Sequence, residues 1–352
     1  MRLKVFVYAL CVAAMLLLGG CSGDPETTPS AAPEAEKVSR TVFAMDTVME
    51  ITPYGEHAKA ACDAAEDKIM ALEQLLSVTL PDSEIYAANH ADGASVQLSA
   101  DSFALLQDAL FWCECTDGAL DISIYPVLRT WGFTTGNYRV PENAELKDLL
   151  RDVDYTQIRT DPQARTVTLP QGMEIDLGSV AKGYTGDQVM QVFRDCGVTS
   201  GMVSLGGNVQ VLGTKPDGSA WRIAVQDPTG EGYAGVVEVT DKAVITSGGY
   251  ERFFEENGVT YWHILDPATG SPARSGVISA TVIGENGTMC DALSTALFVM
   301  GADRASTFWK THDGFDFVLI LDDGSLVITQ GLESCFTPVG EWENARIEVV
   351  RR

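Results

Sequence analysis

The chain has 352 residues, of which 45% are hydrophobic and 21% are charged, and its formal net charge is −25 at pH 7. This length can bury a substantial core and predicts one large domain or two ordinary ones. An acidic surface repels nucleic acid and anionic lipid headgroups, so nucleic-acid binding is excluded and a phosphate site would need a metal ion or local cations. The eight cysteines show no zinc-ligand spacing, so no zinc site is expected.

The N-terminal residues have the pattern of a secretory signal. Arg2 and Lys4 precede the apolar run Val5–Leu18, and the sequence Leu-Gly-Gly-Cys then ends at Cys21. A basic start, a short apolar stretch and small residues before a break are typical of a cleaved signal. The ending resembles a bacterial lipobox, so we predict a lipoprotein signal peptide over residues 1–20 and lipidation of Cys21. An uncleaved anchor, or a cysteine present by chance, is the alternative.

Residues 21–37 predict a flexible tether, because they are rich in Pro, Ala, Glu, Thr and Ser and cannot bury a core. After a strand interrupted at Ala44–Thr47, apolar residues at helical spacing predict helices over 56–76 and 99–115, the second capped by Ser99. The segment between them, 79–95, contains turn-forming residues and is predicted to be a loop.

A strand followed by a helix is predicted in the middle of the chain. Met173 and Ile175 alternate with polar residues as in a half-buried strand, which would end at Asp176. Apolar spacing after Gly178 predicts a helix, and Gly197 is a suitable residue to end it.

This predicted turn would bring a carboxylate, a hydroxyl and an ammonium (Asp176, Ser179 and Lys182) to a helix N-terminus. Free backbone N–H groups and the positive end of the helix dipole lie there, which suits a phosphate. The alternative is an ordinary strand–turn–helix in which Asp176 is a cap and Lys182 is solvated. Asp121, between apolar neighbours, is either a partnered buried carboxylate or a turn cap.

Two features of the C-terminal half are open to a structural or a functional interpretation. His263 falls in a predicted strand over 261–265, where a lone histidine is more often a hydrogen-bonded structural residue than a catalyst. Asp291, Ser294 and Thr295 share one face of a predicted helix, and such oxygen ligands suit Mg²⁺. The alternative for Asp291 is a helix N-cap.

Several short motifs, taken in order, resemble the ApbE family of FAD:protein FMN transferases. The resemblance runs from about Val38 to Gly331, and the ordered set is far more specific than any one motif. The motifs are A-M-D-T from Ala44, A-L-D-I-S-I-Y-P-V-L-R-T-W-G-F from Ala119, D-L-G-S-V-A-K-G-Y from Asp176, L-G-G-N from Leu205, T-S-G from Thr246, H-I-L-D-P-A-T-G from His263 and D-A-L-S-T-A from Asp291.

The resemblance implies specific roles for residues of this chain. The residues implied to hold FAD are Met45, Ala119, Leu120, Asp121, Asp176, Lys182 and Leu265. The residues implied to bind Mg²⁺ are Ser179, through its backbone carbonyl, and Asp291, Ser294 and Thr295. With Asp291, His263 is implied to be catalytic, because it matches a histidine proposed to assist proton removal from the acceptor hydroxyl. Two positions depart from the common pattern, since Val78 and Thr79 replace an aromatic residue and Thr134 replaces a glycine.

The resemblance also implies the reaction and the fold. FMN would pass from FAD to a Thr or Ser hydroxyl of an exported flavoprotein, with Mg²⁺ and release of AMP, and the lipid would hold the enzyme on the extracytoplasmic face of the cell membrane. Mg²⁺-dependent hydrolysis of FAD to FMN and AMP, or flavin binding without catalysis, are the alternatives. The expected fold is α+β, with mixed sheets flanked by helices in a two-lobed, T-fold-like domain over residues 38–345, and FAD in the cleft.

Overall fold

The computed structural model describes residues 36–352, so the predicted signal peptide, Cys21 and most of the tether lie outside the described residues. The helices are α1 (Ala58–Leu76), α2 (Glu84–Asn89), α3 (Ala100–Cys115), α4 (Tyr125–Thr130), α5 (Asn143–Leu149), α6 (Gly178–Asp195) and α7 (Gly287–Thr311). The strands are β1 (Arg40–Ala44), β2 (Thr47–Tyr54), β3 (Val96–Gln97), β4 (Arg159–Asp161), β5 (Thr166–Thr168), β6 (Ser200–Leu205), β7 (Asn208–Leu212), β8 (Trp221–Gln226), β9 (Tyr233–Val239), β10 (Ala243–Gly248), β11 (Phe253–Glu256), β12 (Val259–Trp262), β13 (Leu265–Asp266), β14 (Ser271–Pro272), β15 (Val277–Gly284), β16 (Phe315–Leu321), β17 (Leu326–Thr329), β18 (Phe336–Pro338) and β19 (Ile347–Val350).

One nine-stranded sheet organises the fold, with the strand order β1-β2-β6-β7-β10-β15-β16-β17-β19. Its pairs are antiparallel except for β17 and β19, which are parallel. Buried side chains of α1 and α6 share one core cluster with β1, β2 and β6, and those of α3 and α7 share another with β10, β15 and β16. A three-stranded sheet, β18-β9-β8, packs through a third cluster. The α+β class with mixed sheets and flanking helices is therefore confirmed.

Most of the predicted elements are confirmed because their apolar period matches one buried face. Helix α1 buries Ala61, Cys62, Ala65 and Ile69, which all face the same core. The interruption at Ala44–Thr47 is the two-residue turn between β1 and β2, where Met45 and Asp46 have φ of 49° and 58°. Such positive φ angles at both central residues match the twist of a tight hairpin.

The predicted strand at Met173–Ile175 is wrong, because these residues belong to no strand and pair with none in the described part of the chain. The side chain of Asn89 takes the place of a neighbouring strand: its Oδ1 accepts from the backbone N–H of Ile175, and its Nδ2 donates to the Ile175 carbonyl, each at 2.8 Å. The predicted alternation of buried side chains is nevertheless present, because Met173 and Ile175 are both buried in the core.

Two further expectations need correction. The segment 79–95 is not only a loop, since α2 forms there with the Ser83 hydroxyl accepting from the N–H of Tyr86. His263 lies outside the strands, in a bend between β12 and β13. None of the helices within residues 36–352 is both long and apolar enough to cross a bilayer.

Candidate functional site

A cavity of about 390 Å³ lies within the compact unit formed by the described residues. Its walls come from the β1–β2 turn, the end of α1, the segment 119–134, the first turns of α6, the end of β10, the segment 263–267 and α7. Its volume is within the roughly 300–1,000 Å³ range that small-molecule sites occupy.

Most of the residues predicted for the site line this one cavity, although they come from distant parts of the sequence. These residues are Met45, Ala119, Leu120, Asp121, Asp176, Ser179, Lys182, His263, Leu265, Asp291 and Thr295. Ser294 differs, because its fully buried hydroxyl lies behind the cavity wall and donates to the Asp291 carbonyl at 2.9 Å. Val78, Thr79 and Thr134 also line the cavity.

Two glycines bring the start of α6 next to α7. A Cβ atom on Gly183 would lie 2.2 Å from the carbonyl oxygen of Gly287 and 2.7 Å from Cβ of Asp291, and a Cβ on Gly287 would lie 1.8 Å from Nε2 of Gln210. That Nε2 donates to the Gly183 carbonyl at 2.9 Å. Because neither helix has a side chain at the crossing, Ser179 and Lys182 on one helix and Asp291 on the other reach the same cavity.

Asp291 is a buried carboxylate, only 4% exposed, at the cavity wall. Its Oδ2 accepts from the N–H of Gly183 at 2.8 Å and its Oδ1 from Nδ2 of Asn208 at 2.9 Å. Within residues 36–352 it is in no ion pair. Burial raises its pKa to about 6, against the opposing effect of Lys182. A buried carboxylate that lacks a counter-ion favours a bound cation. The N-cap of α7 is Asn286, so the alternative interpretation of Asp291 as a cap is wrong.

Three hydroxyl groups form a short line beside this carboxylate. The Ser247 Oγ lies 2.8 Å from Ser294 Oγ and 3.2 Å from Thr295 Oγ1. Ser247 and Thr295 line the cavity, whereas Ser294 contacts Ser247 from behind the wall. With Asp291, this set contains oxygen donors only, which is the donor type that hard divalent cations prefer. No group of three His, Cys, Asp or Glu side chains suited to a metal occurs among the described residues, so a cation here would depend on hydroxyl and carbonyl oxygens.

The cavity lining also contains two basic side chains among its carboxylates. The side chains of Lys182 and Arg252 both line it, and within residues 36–352 neither is in an ion pair. Asp176 holds the turn before α6, since its Oδ1 accepts from the N–H of Gly178 at 2.8 Å and its own N–H donates to Ile122 at 2.9 Å. Burial raises the pKa of Asp176. Two cations and a helix N-terminus can together bind an anion such as phosphate.

His263 is held by the backbone of Arg252. The His263 N–H donates to the Arg252 carbonyl at 3.1 Å, and Nδ1 lies 3.3 Å from the same oxygen. A proton on Nδ1 would therefore donate there and leave the Nε2 lone pair free. Burial, with the nearby charges of Arg252 and Lys182, lowers the pKa of His263 to about 3, so the ring is neutral at physiological pH. Phe133 presents its ring edge-on at 6.3 Å between centroids.

Asp121 is a turn cap that also faces the cavity. Its Oδ1 accepts from the N–H and the hydroxyl of Ser123 at 2.9 and 2.6 Å, and its Oδ2 accepts from the N–H of Tyr155 at 3.3 Å. Both alternatives for this residue are therefore correct, since the carboxylate is partnered and also begins a 3₁₀ turn. Burial raises its pKa.

Sequence reasoning did not assign roles to Arg252, Ser247, Asn208 or Glu73. Glu73 accepts from the backbone N–H of Met45 at 2.8 Å and so ties α1 to the β1–β2 turn. The motifs L-G-G-N and T-S-G contain Asn208 and Ser247, and they were the available signal for those two positions. Arg252 follows a tight glycine turn but has no distinctive spacing, so only its place on the cavity wall identifies it.

Comparison with known proteins gives consistent results across sequence and structure. The family model described as "ApbE family" matches residues 45–319. The chain is 32% identical to a protein named FAD:protein FMN transferase from Treponema pallidum, over 94% of each chain. It is 30% identical to one of the same name from Klebsiella pneumoniae, over 80% of this chain and 89% of that one. The crystal structure of the ApbE protein from Thermotoga maritima superimposes with a TM-score of 0.82 at 32% identity, covering 85% of this chain and 99% of that chain. A match over most of the sequence, with a cavity built from the expected motifs, shows that this chain belongs to the ApbE family.

Proposed function

We propose that this protein transfers FMN from FAD to a Thr or Ser hydroxyl of an exported acceptor flavoprotein, with Mg²⁺ and release of AMP. One observation carries the proposal: a single cavity combines a buried carboxylate that lacks a counter-ion, Asp291, with two cations free of ion pairs in the described chain, Lys182 and Arg252. The first favours a metal ion and the others favour phosphate. A dinucleotide pyrophosphate with bound metal matches both. The names of the relatives from Treponema pallidum and Klebsiella pneumoniae agree with this reaction.

The residues present fit a magnesium ion. Asp291 would supply one carboxylate oxygen, because each of its oxygens accepts only one hydrogen bond from residues 36–352. The hydroxyl of Thr295 and the backbone carbonyl of Ser179 would complete the protein ligands, and Ser294 would act through Ser247. A metal bound there would stabilise negative charge on the pyrophosphate oxygens.

The chain's own residues would position the reactants. Lys182, Arg252 and the positive N-terminal end of α6 would hold the phosphates and orient them towards the attacking hydroxyl. The acceptor oxygen forms a bond to the phosphorus on the FMN side, and the bond from that phosphorus to the AMP oxygen breaks. The Nε2 lone pair of His263, or a nearby carboxylate, would take the hydroxyl proton. Positioning and charge stabilisation account for most of the rate in such transfers.

The test is incubation of the purified protein with FAD, Mg²⁺ and the FMN-binding domain of an exported flavoprotein. We expect a covalent flavin mass on the acceptor and one AMP for each flavin attached. An acceptor whose target Thr is replaced by Val is the matched control and should stay unlabelled. The Asp291→Asn variant should lose at least about 100-fold in rate, because a metal ligand is lost. Labelling without Mg²⁺, or full activity of that variant, would refute the metal site.

The same incubation separates the alternatives. Free FMN and AMP without acceptor would favour FAD hydrolysis, and bound FAD without either product would favour a binding protein.

We also propose that residues 38–345 form the catalytic domain and that lipidation of Cys21 places it on the extracytoplasmic face of the cell membrane. The short signal-like run before Cys21 supports this location. The Cys21→Ala variant should move from the membrane fraction to the soluble fraction and lose labelling by a palmitate analogue. Membrane retention and labelling of that variant would contradict the proposal.

A further inference from the structure

The β11–β12 hairpin stands directly beside the cavity. Arg252 precedes β11 and His263 follows β12, and both line the cavity wall. Their backbone hydrogen bond closes the base of the hairpin. The far end is a two-residue turn, Asn257-Gly258, with φ of 52° and 77°. The base of the hairpin therefore lies at the cavity, because each of its strands is directly followed or preceded by a cavity residue.

The outer edge of β11 has free backbone groups. In a two-residue hairpin with the pairs Glu256–Val259 and Phe254–Tyr261 bonded to each other, the N–H and C=O groups of Phe253 and Glu255 point outward. In the described chain, β11 pairs only with β12.

The outer edge of β12 is different, because the Arg274 guanidinium donates to the Thr260 carbonyl and stacks 3.9 Å from the Trp262 ring. The exposed residues of the hairpin also lie mainly along β11. Only one of the two edges is therefore open.

The hairpin that carries this open edge is packed against the domain through aromatic side chains on one face. Phe254 stacks on Tyr261 at 5.2 Å and on Tyr138 at 5.2 Å, and Tyr261 packs against Trp131 at 5.4 Å. On the opposite face Phe253 is 47% exposed. A preordered strand edge with an exposed aromatic side chain is suited to binding an extended peptide, because main-chain hydrogen bonds give affinity and side chains give specificity.

We propose that an extended segment of the acceptor flavoprotein adds as a strand to the outer edge of β11 and so brings its Thr or Ser hydroxyl to the cavity. This inference rests on the proposed function. A strand paired with Phe253 and Glu255 ends at Arg252, the cavity residue one position away. The exposed carboxylates of Glu255 and Glu256 disfavour acidic side chains opposite them, so the bound segment carries an apolar residue near Phe253 and neutral or basic residues beyond it.

Proline substitution tests the strand addition. Glu255→Pro removes an outward N–H, a change that an edge strand tolerates, and so blocks the added strand without breaking the hairpin. We expect the acceptor KM to rise at least about tenfold while FAD affinity, measured by flavin fluorescence, is unchanged. Glu255→Gln controls for the charge, and Thr260→Pro, on the covered edge, controls for proline. Wild-type acceptor KM in Glu255→Pro, or an equal loss in Thr260→Pro, would overturn the proposal.

A second substitution and a hydrogen-exchange measurement test the same docking edge independently. Phe253→Asp should raise the acceptor KM, whereas Phe111→Asp, at a residue 53% exposed on α3, should not. Hydrogen exchange with the acceptor domain present should protect the amides of Phe253 and Glu255, and this readout needs no transfer. If the wild-type protein transfers no flavin to the acceptor, the proposed function is refuted. Hydrogen exchange still tests the docking proposal: protection of the Phe253 and Glu255 amides supports it, and unchanged exchange overturns it.

Discussion

Replacing Gly183 by alanine should separate α6 from α7 and open the site. The new Cβ would lie 2.2 Å from the Gly287 carbonyl oxygen, and contacts under 3.0 Å essentially never occur, so the backbone must retreat by at least about 0.8 Å. The obstacle is backbone, which no side-chain rotation can relieve. The same movement lengthens the 2.8 Å bond from the Gly183 N–H to Asp291.

The expected cost has two parts. Overpacking costs about 1–3 kcal/mol, and weakening a hydrogen bond to a buried carboxylate costs about 1 kcal/mol more, so the free energy of unfolding should fall by about 2–4 kcal/mol. A displacement near 1 Å between the halves of an active site can reduce the rate by about 100-fold. Guanidinium chloride unfolding measures the first quantity, and AMP release from FAD with the acceptor present measures the second.

Gly230→Ala is the matched control, because its new Cβ has nothing closer than Asp227 Oδ2 at 3.9 Å. We expect its free energy of unfolding to stay within about 0.5 kcal/mol of wild type. A Gly183→Ala protein with wild-type stability and wild-type turnover would refute the argument that the close helix crossing assembles the site.

The remaining predictions concern three side chains. Arg252→Gln should raise the KM for FAD about tenfold because a phosphate-binding cation is lost, and an unchanged KM in steady-state assays would contradict that role. Asn89→Ala should lower the free energy of unfolding by about 2–3 kcal/mol in urea titrations, since the N–H and C=O of Ile175 lose their partners; Asn89→Asp, which keeps only the acceptor, should lose less. His263 has a pKa of about 3 in the folded protein, below its ordinary value of 6.5. The unfolded chain therefore binds the histidine proton first, and His263 lowers the free energy of unfolding as the pH falls from 6.5 towards 3. Wild type should therefore lose more stability than His263→Gln over that range, by at most about 1.4 kcal/mol per pH unit, and parallel pH curves would show that the ring is not held neutral.

Local patterns were sufficient for the elements that bury one face. The helix over Ala58–Leu76 repeats its apolar residues every three or four positions, and Ser99 caps the next helix through its bond to the Ser102 N–H. The turn at Met45 and the end of α6 at Gly197, with φ of 78°, follow from the short-range conformational preferences of those positions. Such preferences act within a few residues, so they do not depend on the rest of the tertiary structure.

Longer-range partners decided the elements that were predicted incorrectly. Met173 and Ile175 alternate like a strand, yet the hydrogen-bonding partner of Ile175 is the side chain of Asn89, 86 positions earlier. His263 follows a run of strand-forming residues, but its hydrogen bonds go to Arg252 and the chain then bends. No local pattern specifies which distant group satisfies a backbone N–H or C=O.

The amino-acid sequence by itself determined the helices, the hairpins and the ordered motifs that mark the family. Local patterns alone did not group Ser179, Lys182 and Asp291, which only the family resemblance brought together, and they neither identified Arg252 as part of the same cavity nor placed Ser294 behind its wall. Those relations depend on two helices crossing at a pair of glycines and on a nine-stranded sheet that joins strands from both ends of the chain. Packing between distant segments sets these distances, and it arises only when the whole core is assembled.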